Sequence, residues 1–197
     1  GSSNLYADGY EEIGNLPVKT ADFKVESSSP VSVTMKATVG DNIEVTRIMV
    51  LDPQKPLVHI TSVYKNNSSS PVSISVRTHP EYAFSIFQNS RLYLKENGNA
   101  WTDYPLWTKE TPVGEKYINS STLSIPVVVF GDKEKNFGLV SRFDPASVKT
   151  AYAFYGDSYH CMNLELWSGD VKVQPGESYT LDHSIEITND LNGILNK

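Results

Sequence analysis

Cysteine is nearly absent: Cys161 is the one thiol in 197 residues. A lone cysteine excludes an intramolecular disulfide framework and a cysteine-based zinc cluster. It leaves the compartment open, because many exported bacterial proteins carry no disulfides. Basic residues are also few, 17 Lys and Arg against 23 Asp and Glu for a net charge of −6. They never cluster densely enough to grip a phosphate backbone, so nucleic acid is not an expected partner. No apolar run approaches the roughly 18 residues of a membrane span. No signal peptide is legible at the N-terminus, and the opening Gly-Ser-Ser has the look of a trimmed start. Helix signals are scarce, with no window sustaining apolar residues at i, i+3, i+4 and i+7 between caps.

What the chain does have is hydrophobic residues at 39%, enough for a real core, and aromatics at 11%, including eleven Tyr and three Trp. Strand signals are abundant. "VSVTMKATV" (31–39) alternates throughout, and "GDN" turns it into "IEVTRIMVL" (43–51). "LVHITSVY" (57–64), the polar turn "KNNSSS" and "PVSISVRT" (71–78) follow. "STLSIPVVVF" (121–130) is a continuous apolar run, as in a strand buried on both faces. "FGLVSRF" (137–143), "YHCMNLELW" (159–167) and "SYTLDHSIEI" (178–187) complete the set. Eight or more strands joined by short polar turns predict an all-β, antiparallel two-sheet sandwich in one domain over 1–197. Residues 88–120 read as the least regular region and as a functional or mobile loop. Residues 1–10 and 188–197 read as flexible ends, with a short helix as the alternative for the C-terminal tail.

Alternation assigns faces. Val72, Ile74 and Val76 take the core side of their strand, which puts Arg77 and, by extension, His79 on the polar side. Met162, Leu164 and Leu166 take the core side of theirs, with His160 among them. Cys161, Asn163, Glu165 and Trp167 share the other side with Tyr159. An acid, an amide and flat aromatic rings on one face suit a sugar, whose C–H faces stack and whose hydroxyls hydrogen-bond. A solvated outer face carrying incidental aromatics is the plainer alternative. His59 and His183 read as packed histidines on apolar faces. No pair of histidines has zinc-ligand spacing, and no G-x-S-x-G nucleophile elbow is present, so a metal site and that hydrolase chemistry are not expected.

Two segments resemble the galactose mutarotase-like (aldose 1-epimerase-like) proteins. "LVHITSVYKNNSSSPVSISVRTHPEYAF" is similar to their central strand-turn-strand leading into a His-Pro-aromatic motif. "MNLELWSGDVKVQPGESYTLDHSIEI" is similar to their C-terminal part, with its glutamate-bearing strand, "PGES" turn and closing strand. The resemblance implies a β-supersandwich fold and a sugar ligand, with no cofactor. It matches His79 to the histidine that acts as general acid during aldose ring opening, and Glu165 to the general base. That reaction takes a proton from the anomeric hydroxyl and gives one to the ring oxygen. The chain departs from the pattern in being shorter, in having no histidine in its first 50 residues, in placing Glu81 between Pro80 and Tyr82, and in "ELW" where "EPW" is usual.

The expectation is therefore a carbohydrate-binding or accessory domain of a larger protein, exported to the periplasm or beyond. Arg77, His79, Asn163 and Glu165 would bond hydroxyls, and Tyr82, Trp167, Trp101 and Trp107 would stack. One alternative is a mutarotase or epimerase using Glu165 and His79. The other is a structural or protein-interaction sandwich, in which the polar faces of 71–79 and 159–167 do not converge.

Overall fold

A computed structural model describes residues 12–13, 24–39, 42–82, 89–105, 113–156 and 161–197. In chain order the strands are β1 (Glu12–Ile13), β2 (Lys24–Ser29), β3 (Ser32–Val39), β4 (Ile43–Leu51), β5 (Leu57–Asn66), β6 (Val72–Arg77), β7 (Glu81–Tyr82) and β8 (Arg91–Leu94). They continue with β9 (Thr102–Tyr104), β10 (Val113–Asn119), β11 (Val127–Asp132), β12 (Phe137–Phe143), β13 (Thr150–Gly156), β14 (Cys161–Val173) and β15 (Ser178–Thr188), and a short helix, α1 (Leu191–Leu195), follows.

These strands form two antiparallel sheets. The larger runs β2-β3-β4-β5-β15-β12-β11-β8-β9, and the smaller runs β1-β6-β14-β13-β10, with β7 pairing to β14. The core lies between them. The larger sheet contributes Ile43, Val45, Tyr64, Val128, Phe130 and Leu181, and the smaller contributes Ile74, Val76, Ile118, Ala151, Ala153, Tyr155, Leu164 and Leu166. On β13 the small Ala151 and Ala153 face inward while Tyr152 and Phe154 stay half-buried on the outer face. On β14, Met162, Leu164 and Leu166 enter the core as their alternation predicts.

Asn66, fully buried at the end of β5, ties the sheets together. Its amide donates to the carbonyls of Ser70 and Val173, at 2.8 and 3.0 Å, and its Oδ1 accepts from the Ser68 backbone N–H and hydroxyl. Every polar atom of that buried amide is thereby used.

Several expectations are corrected. Residues 88–120 are not one long loop, since they contribute β8, β9 and β10. The run 121–130 is not strand throughout. Ser120–Thr122 forms a 3₁₀ turn, capped by Asn119 Oδ1 on the Ser121 N–H, and the strand starts only after Pro126, which has no N–H for a ladder. His183 is buried as expected, but His59 is exposed, because β5 buries Ile60, Ser62, Tyr64 and Asn66 on the opposite face.

The C-terminal tail takes the helical alternative. Asp190 Oδ1 caps α1 on the Gly193 N–H at 3.2 Å. Leu191 is wholly buried with Tyr93, Val129 and Val140 on the outer face of the larger sheet. Residues 1–10, Trp107, Tyr159 and His160 lie outside the described residues.

Candidate active site

The site is built on the outer face of the smaller sheet, where β6 and β14 pair. The ladder sets Arg77 opposite Trp167. It then breaks at Pro80 and resumes in the same register, with Glu81 opposite Asn163 and Tyr82 opposite Met162. His79 consequently falls opposite Glu165. Pro80 removes one ladder donor without shifting the register. Thr78 bridges the interruption by donating its N–H to Leu166 O and accepting the Leu166 N–H at Oγ1, both at 3.1 Å.

On the other side of Trp167 the register jumps, so that Asp170 faces Ser75. This is a β-bulge at Ser168 and Gly169, the kind of feature that re-aims a side chain. Gly169 has φ +67°, in the left-handed region that favours glycine. The bulge leaves the Val76 N–H without a ladder partner, and the buried Ser168 hydroxyl accepts it at 2.9 Å.

The Glu165 carboxylate is the centre of the cluster and is only 3% exposed. Its Oε1 lies 3.2 Å from His79 Nε2 and accepts from Asn163 Nδ2 at 3.2 Å. Its Oε2 accepts from the Trp167 indole at 2.8 Å and pairs with an Arg77 guanidinium nitrogen at 3.2 Å. Burial favours the uncharged acid, but hydrogen bonds from His79 and Trp167 and the Arg77 charge outweigh it, holding Glu165 below the ordinary carboxylate range. The Asn163 amide nitrogen is also 2.9 Å from His79 Nε2. Asn163 Oδ1 is buried with no hydrogen-bond partner among the described residues. Arg77 and His79 keep about a quarter of their side-chain surface open, at 29% and 25%.

The structure thus gathers Arg77, His79, Asn163, Glu165 and Trp167 on one face. Tyr82 is directed elsewhere. Opposite the core residue Met162, it packs on the core side with its ring 6.2 Å from Phe130. Trp101 packs with Tyr93, Val129 and Val140 at the larger sheet, with the Lys95 ammonium 5.1 Å from its ring centre. Apolar neighbours drew both rings away from the polar cluster.

The site also holds residues that the sequence reading passed over. Tyr152 stands opposite Glu165, and Tyr117 opposite Tyr152. The Trp167 ring centre lies 5.5 Å from that of Tyr152 and 5.8 Å from that of Tyr117. The available signal was the Ala/aromatic alternation of "TAYAFYG".

The two-sheet architecture compares directly with solved structures. The Slr1438 protein from Synechocystis sp. PCC 6803 superposes with a TM-score of 0.70 at 15% identity, over 85% of this chain and 66% of that one. A galactose mutarotase related enzyme from Lactobacillus acidophilus gives 0.66 at 13% identity, over 87% and 72%. This is the galactose mutarotase-like fold. The same fold occurs in the GH36 α-galactosidase AgaA from Geobacillus stearothermophilus, where the TM-score is 0.57 at 14% identity, over 91% of this chain and 30% of that one. The chain therefore spans 66% of the length of the Slr1438 protein, 72% of the mutarotase related enzyme and 30% of the galactosidase. The sequence matches no protein-family model and no curated protein.

Proposed function

We propose that this mutarotase-like domain binds carbohydrate on the outer face of its smaller sheet and does not catalyse a reaction there. The observation that carries the reading is the saturation of Glu165. A carboxylate offers about four acceptor positions, and His79, Asn163, Trp167 and Arg77 occupy them. A general base needs a free lone pair and a pKa near the working pH, whereas this carboxylate is buried, fully engaged and held below its ordinary range. Its role is to position Arg77 and His79, which offer donors to sugar hydroxyls beside the flat face of Trp167. The buried Asn163 Oδ1 is an acceptor suited to a hydroxyl donor. Mutarotase-like enzymes and an α-galactosidase share the fold, which supports a sugar as the ligand.

A second reading, aldose 1-epimerase activity with Glu165 as base and His79 as acid, is favoured by the same neighbours. Against it, paired carboxyls that bracket a sugar centre stand roughly 5–9 Å apart in glycosidases, and 3.2 Å leaves no room for a ring between these two groups.

The test is titration with a monosaccharide panel followed by tryptophan fluorescence, with polarimetry of freshly dissolved galactose and glucose alongside. Binding without acceleration of mutarotation is the expected result. Acceleration that disappears in Glu165→Gln would establish the epimerase instead, and a panel that gives no binding would remove the sugar site altogether.

A further inference from the structure

The cross-strand pairings align four residues in one row across the smaller sheet. His79 on the β6 side faces Glu165 on β14, Glu165 faces Tyr152 on β13, and Tyr152 faces Tyr117 on β10. Three strand spacings of about 4.8 Å make the row roughly 14 Å long. Its character changes along its length. The His79 end is polar, while the Tyr117 end is a cluster of rings, with Tyr117 and Tyr152 centres 4.7 Å apart and Trp167 against both. Tyr117 is 59% exposed. The Tyr152 phenol donates to Glu115 Oε2 at 2.8 Å, which holds its ring in place before any ligand arrives. Finally, β10 is the last strand of the smaller sheet among the described residues, so the aromatic end lies at the sheet edge.

Resting on the sugar-binding reading above, we propose that this row is a track for a neutral oligosaccharide. One unit is hydrogen-bonded at the His79 and Arg77 end, and the following units stack on Tyr152, Tyr117 and Trp167 toward the β10 edge. The aromatic end offers stacking faces and few donors, which is what the units beyond the first need. An oligosaccharide, rather than a free monosaccharide, is assigned because the polar cluster is continuous with the ring cluster. A neutral chain is assigned on charge. The Arg77 charge is already balanced by Glu165, and beside Tyr152 stands the exposed acid Glu115. Uronate units would be repelled there.

Calorimetric titration of the full chain tests this. The probes are galactose, glucose and mannose, their linear di-, tri- and tetrasaccharides, and an oligogalacturonate. Affinity should rise by about tenfold from the mono- to the trisaccharide of the preferred series, the scale of one or two ring stackings. Tyr117→Ala, at an exposed position, should erase that gain, while Tyr117→Trp retains it. His79→Ala should weaken every length alike. Equal affinity at all lengths, or a full gain surviving in Tyr117→Ala, would overturn the track while leaving the sugar site intact; a row that only braces the sheet or seats a protein domain gives this result. Tighter binding of the oligogalacturonate than of neutral chains would overturn the charge assignment. A panel in which nothing binds would sink both the track and the sugar site.

Discussion

His79 stands directly across the strand pair from Glu165, with Nε2 3.2 Å from Oε1. The Asn163 amide nitrogen is within reach of both atoms, while its Oδ1 is buried without a partner among the described residues. This arrangement sets how the site responds to losing its charge. In Glu165→Gln the new amide can donate toward His79 Nε2, and rotation of the Asn163 amide gives its Oδ1 a donor. What is lost is mainly the negative charge that balances Arg77, so the variant should cost only about 1–2 kcal/mol. Glu165→Leu removes the carboxylate that Arg77 and Trp167 share and should cost about 3–5 kcal/mol. Urea unfolding of the two variants decides this, and equal costs would contradict the asymmetry.

The bulge at Ser168 and Gly169 fixes the position of Arg77 opposite Trp167. Ser168→Ala strands the buried Val76 N–H and should cost about 1–3 kcal/mol. Gly169→Ala meets a positive φ, and its Cβ would lie 2.9 Å from the flexible Lys149 side chain. The expected loss is about 1 kcal/mol from the backbone, since Lys149 can move aside. Both variants should weaken sugar binding more than stability, because the register at Trp167 carries the site. Unchanged sugar affinity in a folded Ser168→Ala protein would separate the bulge from function.

The strands that alternate cleanly were legible in the residues. β3, β4, β5, β6, β12, β14 and β15 match predicted runs to within a few positions, apart from β14, whose C-terminal half continues past the predicted end. The polar cluster was legible too, because period-two counting puts Arg77 with His79 and Asn163 with Glu165 and Trp167, and the two faces do converge. What escaped was whatever depends on pairing. β10, "VGEKYIN", carries Gly, Glu and Lys and lacks an apolar stripe, yet it pairs along its whole length with β13. Tyr117 and Tyr152 belong to the site only through that pairing. Tyr82 and Trp101 were misplaced for the converse reason: their rings follow apolar neighbours distant in sequence.

Leu191 shows the same dependence on tertiary contact. Gly131 and Gly138 face each other across β11 and β12 and leave a hollow that the Leu191 side chain fills. A Cβ at Gly131 would come within 2.5 Å of Leu191 Cδ2 and 2.9 Å of Phe137 O. Leu191→Ala should destabilise by about 2–5 kcal/mol and expose the C-terminal tail to protease. Gly131→Ala should be at least as damaging, since the Phe137 carbonyl is backbone and cannot swing away. A tail that stays protease-resistant in Leu191→Ala would show that the capping contacts of Asp190, Asn192 and Asn136 hold α1 without it.

Acid should act first through His183. Burial, reinforced by the Arg47 charge, pushes this imidazole down to about 3 from an ordinary value of 6.5. The folded protein therefore holds His183 neutral while the unfolded chain takes up a proton below 6.5. Stability is fully present above that value and declines as pH falls toward 3, by up to about 1.4 kcal/mol per pH unit. Glu165 has a lowered value as well, but its contribution is lost only below the ordinary carboxylate range. Between pH 6.5 and 5 the decline attributable to these two groups thus belongs to His183 and should amount to about 2 kcal/mol. His183→Gln keeps a polar group of similar size and should flatten the unfolding free energy across that window, while leaving the steeper loss below pH 4.5 in place. A variant that keeps the full slope between pH 6.5 and 5 would mean that His183 is not the buried group being titrated.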